Sequence, residues 1–151
     1  ILTPESRKNL NVTPALEDVV EATIYLSGLG FENGGLAAAH AVNDGFAQEP
    51  QAHGMYHGEK VAFGTLVQLV LEKAPQEELE QVLAFLRDTG LPLTLAQLGV
   101  KEIVPETLKK VAEAAVVPTQ STKNLRADIT AQEVYDAILE ADRIGRDYLA
   151  R

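Results

Sequence analysis

Apolar residues along this chain recur at three- and four-residue spacing over most of its length. Few stretches show the two-residue alternation that is typical of a half-buried strand. The pattern predicts an all-α fold, a helical bundle of about six main helices. No internal repeat, low-complexity tract or Pro/Gly/Ser-rich linker divides the chain, so we expect residues 1–151 to form a single helical domain.

The first third of the chain predicts two helices separated by a glycine-rich break. Thr13-Pro14 is an N-cap followed by proline at the first helical position, and the apolar stripe that follows ends at Gly28. A short turn is expected earlier, from Pro4. Residues 27–35 are expected to break the helix, because glycines cost backbone entropy in a helix interior. The helix predicted over 36–46 is rich in alanine, which favours a central position where another backbone approaches closely.

The remaining helices have clearer boundaries. We expect a loop over 48–56, then helices over 57–73, from Pro75 to Gly90, over 105–116, and from the capping box of Thr130 and Glu133 to near the end of the sequence. A short turn is expected over 94–99, and residues 118–128 are polar and predicted to be irregular. One face of the last helix is apolar and is expected to be buried: Val134, Ile138, Leu139 and Ile144.

Charge and composition narrow the class of function. The chain has 13 basic and 22 acidic residues, a formal net charge of −9, which argues against nucleic acid or an anionic membrane as the main partner. Its apolar runs are too short for a transmembrane helix. The absence of cysteine excludes disulfide scaffolds and thiolate metal sites and suits a cytoplasmic location. Because the sequence begins with Ile1 rather than Met, 151 residues need not be the entire gene product.

The three histidines are the main chemical signal, since all lie within one 18-residue span: His40, His53 and His57. Histidine is the commonest neutral metal ligand and the usual acid–base residue near neutral pH. His53 and His57 would share a face if residues 53–57 were helical, but Gly54 argues against that. We favour His40 with His57, which an antiparallel return through the intervening loop can bring together. The alternative is that these histidines are packed or solvated without a ligand.

Two imidazoles do not complete a zinc site, because a catalytic zinc ion usually has three protein ligands and one open position. Asp44 and Glu59 are the nearest acidic candidates, although each is equally compatible with a solvated charge. The missing ligand can also lie outside this chain.

The glycine run nearly matches the dinucleotide-binding fingerprint over Gly28-x-Gly30-x-x-Asn33. We reject that interpretation, because the fingerprint requires a preceding strand and a third glycine. A helix break that allows close packing is the better interpretation. No nucleophile-elbow or P-loop sequence is present, so no motif supports a hydrolase or NTPase function.

Two longer motifs carry a family resemblance: Gly28-Leu-Gly-Phe-Glu-Asn-Gly-Gly35, followed by Leu-Ala-Ala-Ala-His40, and Tyr56-His-Gly-Glu-Lys-Val-Ala-Phe-Gly64. They resemble the glycerol dehydrogenases of the iron-containing, group III metal-dependent alcohol dehydrogenase superfamily. The resemblance extends over residues 13–17, 65–69 and 90–97 and becomes looser in the last third of the chain. It implies the helical C-terminal domain of the dehydroquinate synthase-like fold.

The resemblance also implies an activity and its residues. His40 and His57 fall on the motif histidines that bind a catalytic zinc ion, Phe31 falls on an aromatic that lines the cleft for substrate and nicotinamide, and His53 matches no ligand. The implied reaction is the NAD-dependent oxidation of glycerol to dihydroxyacetone. Family members assemble, so a homo-oligomer is expected of the full-length form. No catalytic residue and no NAD-binding residue is assigned within this chain.

The sequence departs from the family in length, because glycerol dehydrogenases are more than twice as long. Their N-terminal α/β half carries the NAD-binding glycines and the aspartate that is the third zinc ligand. We therefore interpret the chain as a C-terminal domain that binds zinc weakly and does not oxidise glycerol alone. The alternatives are another polyol dehydrogenase or dehydroquinate synthase-like member of the superfamily, or a non-catalytic helical interaction module.

Overall fold

A computed structural model describes residues 12–151, and every regular element in that range is helical. The predicted all-α class is therefore confirmed. Contacts group the described chain into two units, residues 12–35 and 36–151. No helix between residues 12 and 151 has the length and apolar character needed to cross a membrane. The prediction of one domain over residues 1–151 stays a prediction.

The first unit is one helical rod with a wider turn inside it. Helix α1 spans Pro14–Glu21, a π-helical turn spans Ala22–Leu26, and α2 spans Ser27–Gly34. The Thr13 hydroxyl accepts the Leu16 N–H at 3.2 Å, which confirms the predicted N-cap. The turn predicted from Pro4 lies outside the described residues.

The predicted helix break over residues 27–35 is wrong, because the helix continues to Gly34 and ends at Gly35, whose φ is 69°. Extending a helix costs less than nucleating one, so the preceding turns carry it through weakly helical residues. Close packing at these glycines was also predicted. Apart from the helix's own backbone, no described atom of this unit lies within 4 Å of a Cβ built at Gly28, Gly30 or Gly34, so nothing described in this unit packs closely against these glycines.

The second unit contains six further α-helices, whose bounds lie close to the predicted ones. They are α3 (Ala38–Gly45), α4 (His57–Glu72), α5 (Gln76–Thr89), α6 (Pro105–Ala115), α7 (Thr122–Leu125) and α8 (Ala131–Leu149). Two segments are more regular than expected. The predicted 48–56 loop and its approach contain 3₁₀ turns at Phe46–Gln48 and Pro50–Ala52, and α7 lies within the segment predicted to be irregular.

Local capping explains two of these boundaries. Helix α5 ends at Gly90, whose φ of 75° is a left-handed conformation that favours glycine. At the start of α8, the Thr130 hydroxyl accepts the Glu133 N–H at 3.2 Å, and the Glu133 carboxylate accepts the Thr130 N–H at 2.8 Å. This reciprocal pair is the predicted capping box.

Helix α3 lies at the centre of the second unit, packed against α4 and α6, while α8 covers both of those helices. A Cβ at Gly45 would stand 2.4 Å from the carbonyl oxygen of Val111, and one at Gly64 would stand 2.4 Å from that of Ala39. These approaches confirm that the alanine-rich helix is central and closely packed. Of the predicted face of α8, two residues are buried and two partly buried: Val134 and Ile138, and Leu139 and Ile144.

Candidate metal centre

The structure brings His40 and His57 together. Their ring centroids lie 5.5 Å apart, and the ring planes are inclined by 49°. His40 is in the first turn of α3 and is half-buried, whereas His57 is the first residue of α4 and is exposed. Two imidazoles from different helices therefore stand side by side, one half-buried and the other exposed.

The surroundings of His40 favour its neutral form. Partial burial, and after it the neighbouring His57 ring, lower the pKa of His40 below its usual value, while the Asp44 carboxylate acts in the opposite direction. A neutral imidazole is the form that binds a metal ion. The surroundings of His40 therefore favour the protonation state in which its ring can bind a metal ion.

Helix α4 contacts both backbone polar groups of Ala39, the residue before His40. The Ala39 N–H donates to Oε1 of Gln68 at 3.1 Å, and the Ala39 carbonyl oxygen faces Gly64 at the close approach described above. The N-cap residue Ala37 makes no capping hydrogen bond of its own. The side chain of Gln68 therefore supplies a cap that the local sequence of α3 lacks.

A second set of contacts fixes the residues on either side of His40. The Ser121 hydroxyl donates to the carbonyl oxygen of Ala37 at 2.7 Å, and the Asn124 amide donates to that of Leu36 at 2.8 Å. The Gln120 amide donates to the Asp44 carboxylate at 3.2 Å. We call these three donors, Gln120, Ser121 and Asn124, the α7 clamp.

The loop between the two histidines is itself fixed by Gln51. Its backbone N–H and its side-chain amide both donate to the carboxylate of Glu49, which is 2% exposed, at 3.0 and 3.3 Å. The same side chain donates to the carbonyl oxygen of Glu102 at 2.8 Å and accepts the Lys101 N–H at 3.1 Å. This network ties the loop to the segment before α6.

The other candidate ligands have different roles. His53 is exposed, and its Nε2 lies 3.0 Å from the carbonyl oxygen of Ala47. Glu59 accepts the Tyr56 N–H at 2.7 Å at the start of α4, and Asp44 accepts from the α7 clamp. Between residues 12 and 151, no group of three or more His, Asp or Glu side chains is arranged to hold a metal ion. The described residues thus bring two imidazoles together without a third such side chain beside them.

Phe31 lies in α2 and is 55% exposed. Its assignment to a substrate cleft stays a prediction, as does metal binding by His40 and His57. Gln68 and the α7 clamp were not predicted from the sequence. The one sequence feature that could have indicated Gln68 is its spacing from His57 and Gly64, which places all three residues on the same face of α4.

Individual known proteins match this chain, although no protein-family model does. It is 57% identical to a glycerol dehydrogenase of Escherichia coli O6:H1 and 50% identical to one of Pseudomonas putida, in each case over 91% of this chain. The solved structure of glycerol dehydrogenase from Schizosaccharomyces pombe superposes with a TM-score of 0.90 at 41% identity over 95% of this chain.

These matches cover only part of the relatives. The chain spans 38% of the length of the two bacterial enzymes and 36% of the solved chain. The matched part is the C-terminal helical domain, and it contains both histidine motifs. By its motifs, its fold and its identity to these enzymes, this chain is homologous to the C-terminal helical domain of the glycerol dehydrogenases.

Proposed function

We propose that this chain supplies two histidine ligands, His40 and His57, to the catalytic zinc site of an NAD-dependent glycerol dehydrogenase. The observation that carries the proposal is the approach of the two rings to 5.5 Å between centroids. The lowered pKa of His40 supports it, because a neutral ring is ready to bind without first losing a proton.

The proposed reaction is the oxidation of glycerol to dihydroxyacetone, with transfer of a hydride to NAD⁺ and release of a proton. A bound zinc ion would supply the Lewis acid that polarises the substrate hydroxyl. This chain's own part is to hold two ligands at a fixed spacing on closely packed helices. Phe31 is proposed to line the substrate cleft, and the third zinc ligand and the NAD site are assigned to polypeptide outside these 151 residues.

Zinc binding can be followed separately at each histidine, because the chain contains only three. In a zinc titration followed by NMR of the ring C–H groups, we expect the His40 and His57 signals to shift together. His53 serves as an internal control and should stay unchanged. His40→Ala should abolish the shift at His57. A zinc-induced shift at His53 alone, or no shift at any ring, would contradict the proposal.

The activity is tested in a full-length dehydrogenase that contains this sequence. NADH formation should be faster with glycerol than with 1,2-propanediol, and His40→Ala or His57→Ala should reduce it to background. Faster turnover of another polyol would favour a different member of the superfamily. The 151-residue chain alone is expected to bind zinc weakly and to form no NADH. Unimpaired activity in both alanine variants would favour the non-catalytic interaction module.

The expected homo-oligomer and the expected cytoplasmic location stay predictions. Size measurement of the full-length protein by light scattering tests the first, and cell fractionation tests the second.

A further inference from the structure

Three residues on one face of α4 contact the start of α3. His57, Gly64 and Gln68 are separated by seven and four residues, a spacing that places them on a single stripe of a helix. The first lies beside His40, the second against the carbonyl oxygen of Ala39, and the third on the N–H of Ala39. The stripe that presents one histidine therefore also fixes the backbone that presents the other.

The hydrogen bond from Ala39 to Gln68 satisfies a buried donor. Ala39 is 9% exposed, and its N–H is one of the first groups of α3, which have no partner within their own helix. The side-chain amide of Gln68 also donates to Glu72 at 2.8 Å. That second bond orients the amide, because it directs the NH₂ group towards Glu72 and leaves the oxygen to accept from Ala39.

We propose that Gln68 is a positioning residue of the histidine pair, because its side chain fixes the register of α3 against α4 and thereby holds His40 beside His57. The inference rests on the proposed function only for its consequence in metal binding. Gly64 permits the close approach of the two helices but forms no directional bond. The α7 clamp ties α3 to residues 120–124 and not to α4. Gln68 supplies that directional bond one residue before His40.

The test uses a loss, a matched control and a rescue. Gln68→Leu keeps the size of the side chain but removes its acceptor. Gln132→Leu is the control, because Gln132 makes the same type of bond four residues along its helix, to Asp136 at 2.8 Å, on the exposed face of α8. The rescue is the double variant Gln68→Glu with Glu72→Gln. In it, the new carboxylate at position 68 accepts the Ala39 N–H, and the new amide at position 72 donates to that carboxylate.

Two readouts separate the inference from the proposed function. The first uses no metal: the nuclear Overhauser effect between the His40 and His57 rings, which reports their separation. The second is zinc affinity from the ring shifts. We expect Gln68→Leu to lose the ring-to-ring effect and to bind zinc about tenfold more weakly, the lower end of the range for residues that orient metal ligands. Gln132→Leu should match the original chain, and the double variant should recover both readouts.

Retention of the ring-to-ring effect and of zinc affinity in Gln68→Leu would overturn the inference. If Gln68→Leu does not fold, as judged by circular dichroism, the double variant decides: recovery supports a positioning role, and failure to recover overturns it. If the original chain binds no zinc, the proposed function fails, while the ring-to-ring effect across the same variants still decides the role of Gln68.

Discussion

Gly64 meets Ala39 backbone to backbone, so closely that a Cβ atom on Gly64 would stand 2.4 Å from the Ala39 carbonyl oxygen. Gly64→Ala should therefore force α3 and α4 apart and lower the free energy of unfolding by about 1–3 kcal/mol. Urea denaturation followed by circular dichroism measures the change.

Gly58→Ala is the matched control, because Gly58 lies on the same helix and, apart from that helix's own backbone and its chain neighbours, no described atom lies within 4 Å of its Cβ position. There we expect no loss and a gain of up to about 1 kcal/mol, since alanine is the better helix former. Equal stability of the two alanine variants would contradict the close approach.

Asp142 joins α8 to the turn before α6. Asp142 is 3% exposed, and its carboxylate accepts the Leu95 N–H at 2.8 Å. Asp142→Ala leaves a buried N–H without a partner and should cost about 1–3 kcal/mol of stability, whereas Asp142→Asn keeps an acceptor and should cost less. The exposed Asp136→Ala on the same helix should change stability by less than about 0.5 kcal/mol. Thermal unfolding of the three variants tests this order.

Gln51 supplies two hydrogen bonds to the buried carboxylate of Glu49 and links it to the segment before α6. Gln51→Ala removes the side-chain donor while the buried carboxylate remains, so we expect a loss of about 1–2 kcal/mol. Gln48→Ala, at a nearby exposed position, should be close to neutral. Hydrogen exchange should show faster opening of residues 46–56 in Gln51→Ala only, and an unchanged exchange rate there would contradict the network.

The start of α8 should depend on pH through Glu133. The backbone N–H of Thr130, then Arg126 and the Thr130 hydroxyl, hold the pKa of Glu133 below its usual value of 4.5. A carboxyl whose folded-state pKa is depressed adds stability above its unfolded pKa and loses it as the pH falls through the folded value. We therefore expect the stability of the original chain to decline below about pH 4.5. The Glu133→Gln variant should decline less over the same pH range, because it has no carboxylate to protonate at this position.

Unfolding measured from neutral to acidic pH tests this, with the exposed Glu113→Gln as a comparison that removes the same charge. The prediction fails if both glutamine variants follow the same pH curve as the original chain.

Most helix boundaries could be predicted because their causes are local. Pro105 at a first helical position, Gly90 at a helix end and the capping box of Thr130 and Glu133 each act within a few residues. The predicted helix break over residues 27–35 was wrong for the opposite reason. There, continuation of the helix from the preceding turns outweighed the low helix propensity of the glycines.

The site was only partly predictable. Spacing and motif resemblance singled out His40 and His57, and the structure places their rings together and His53 elsewhere. The partners that fix His40 are Gln68, which is 29 residues from Ala39, and Asn124, which is 88 residues from Leu36. Polar side chains of this kind resemble ordinary surface residues in a sequence, because their partners are set only when the helices pack.

The α7 clamp also has a kinetic consequence. Joining Ser121 to Ala37 closes a loop of 84 residues, whereas joining Gln68 to Ala39 closes one of 29. The longer closure costs about 1 kcal/mol more chain entropy. We therefore expect the α3–α4 hairpin to assemble early and the clamp to lock it late, so that weakening the clamp accelerates unfolding while leaving the folding rate nearly unchanged.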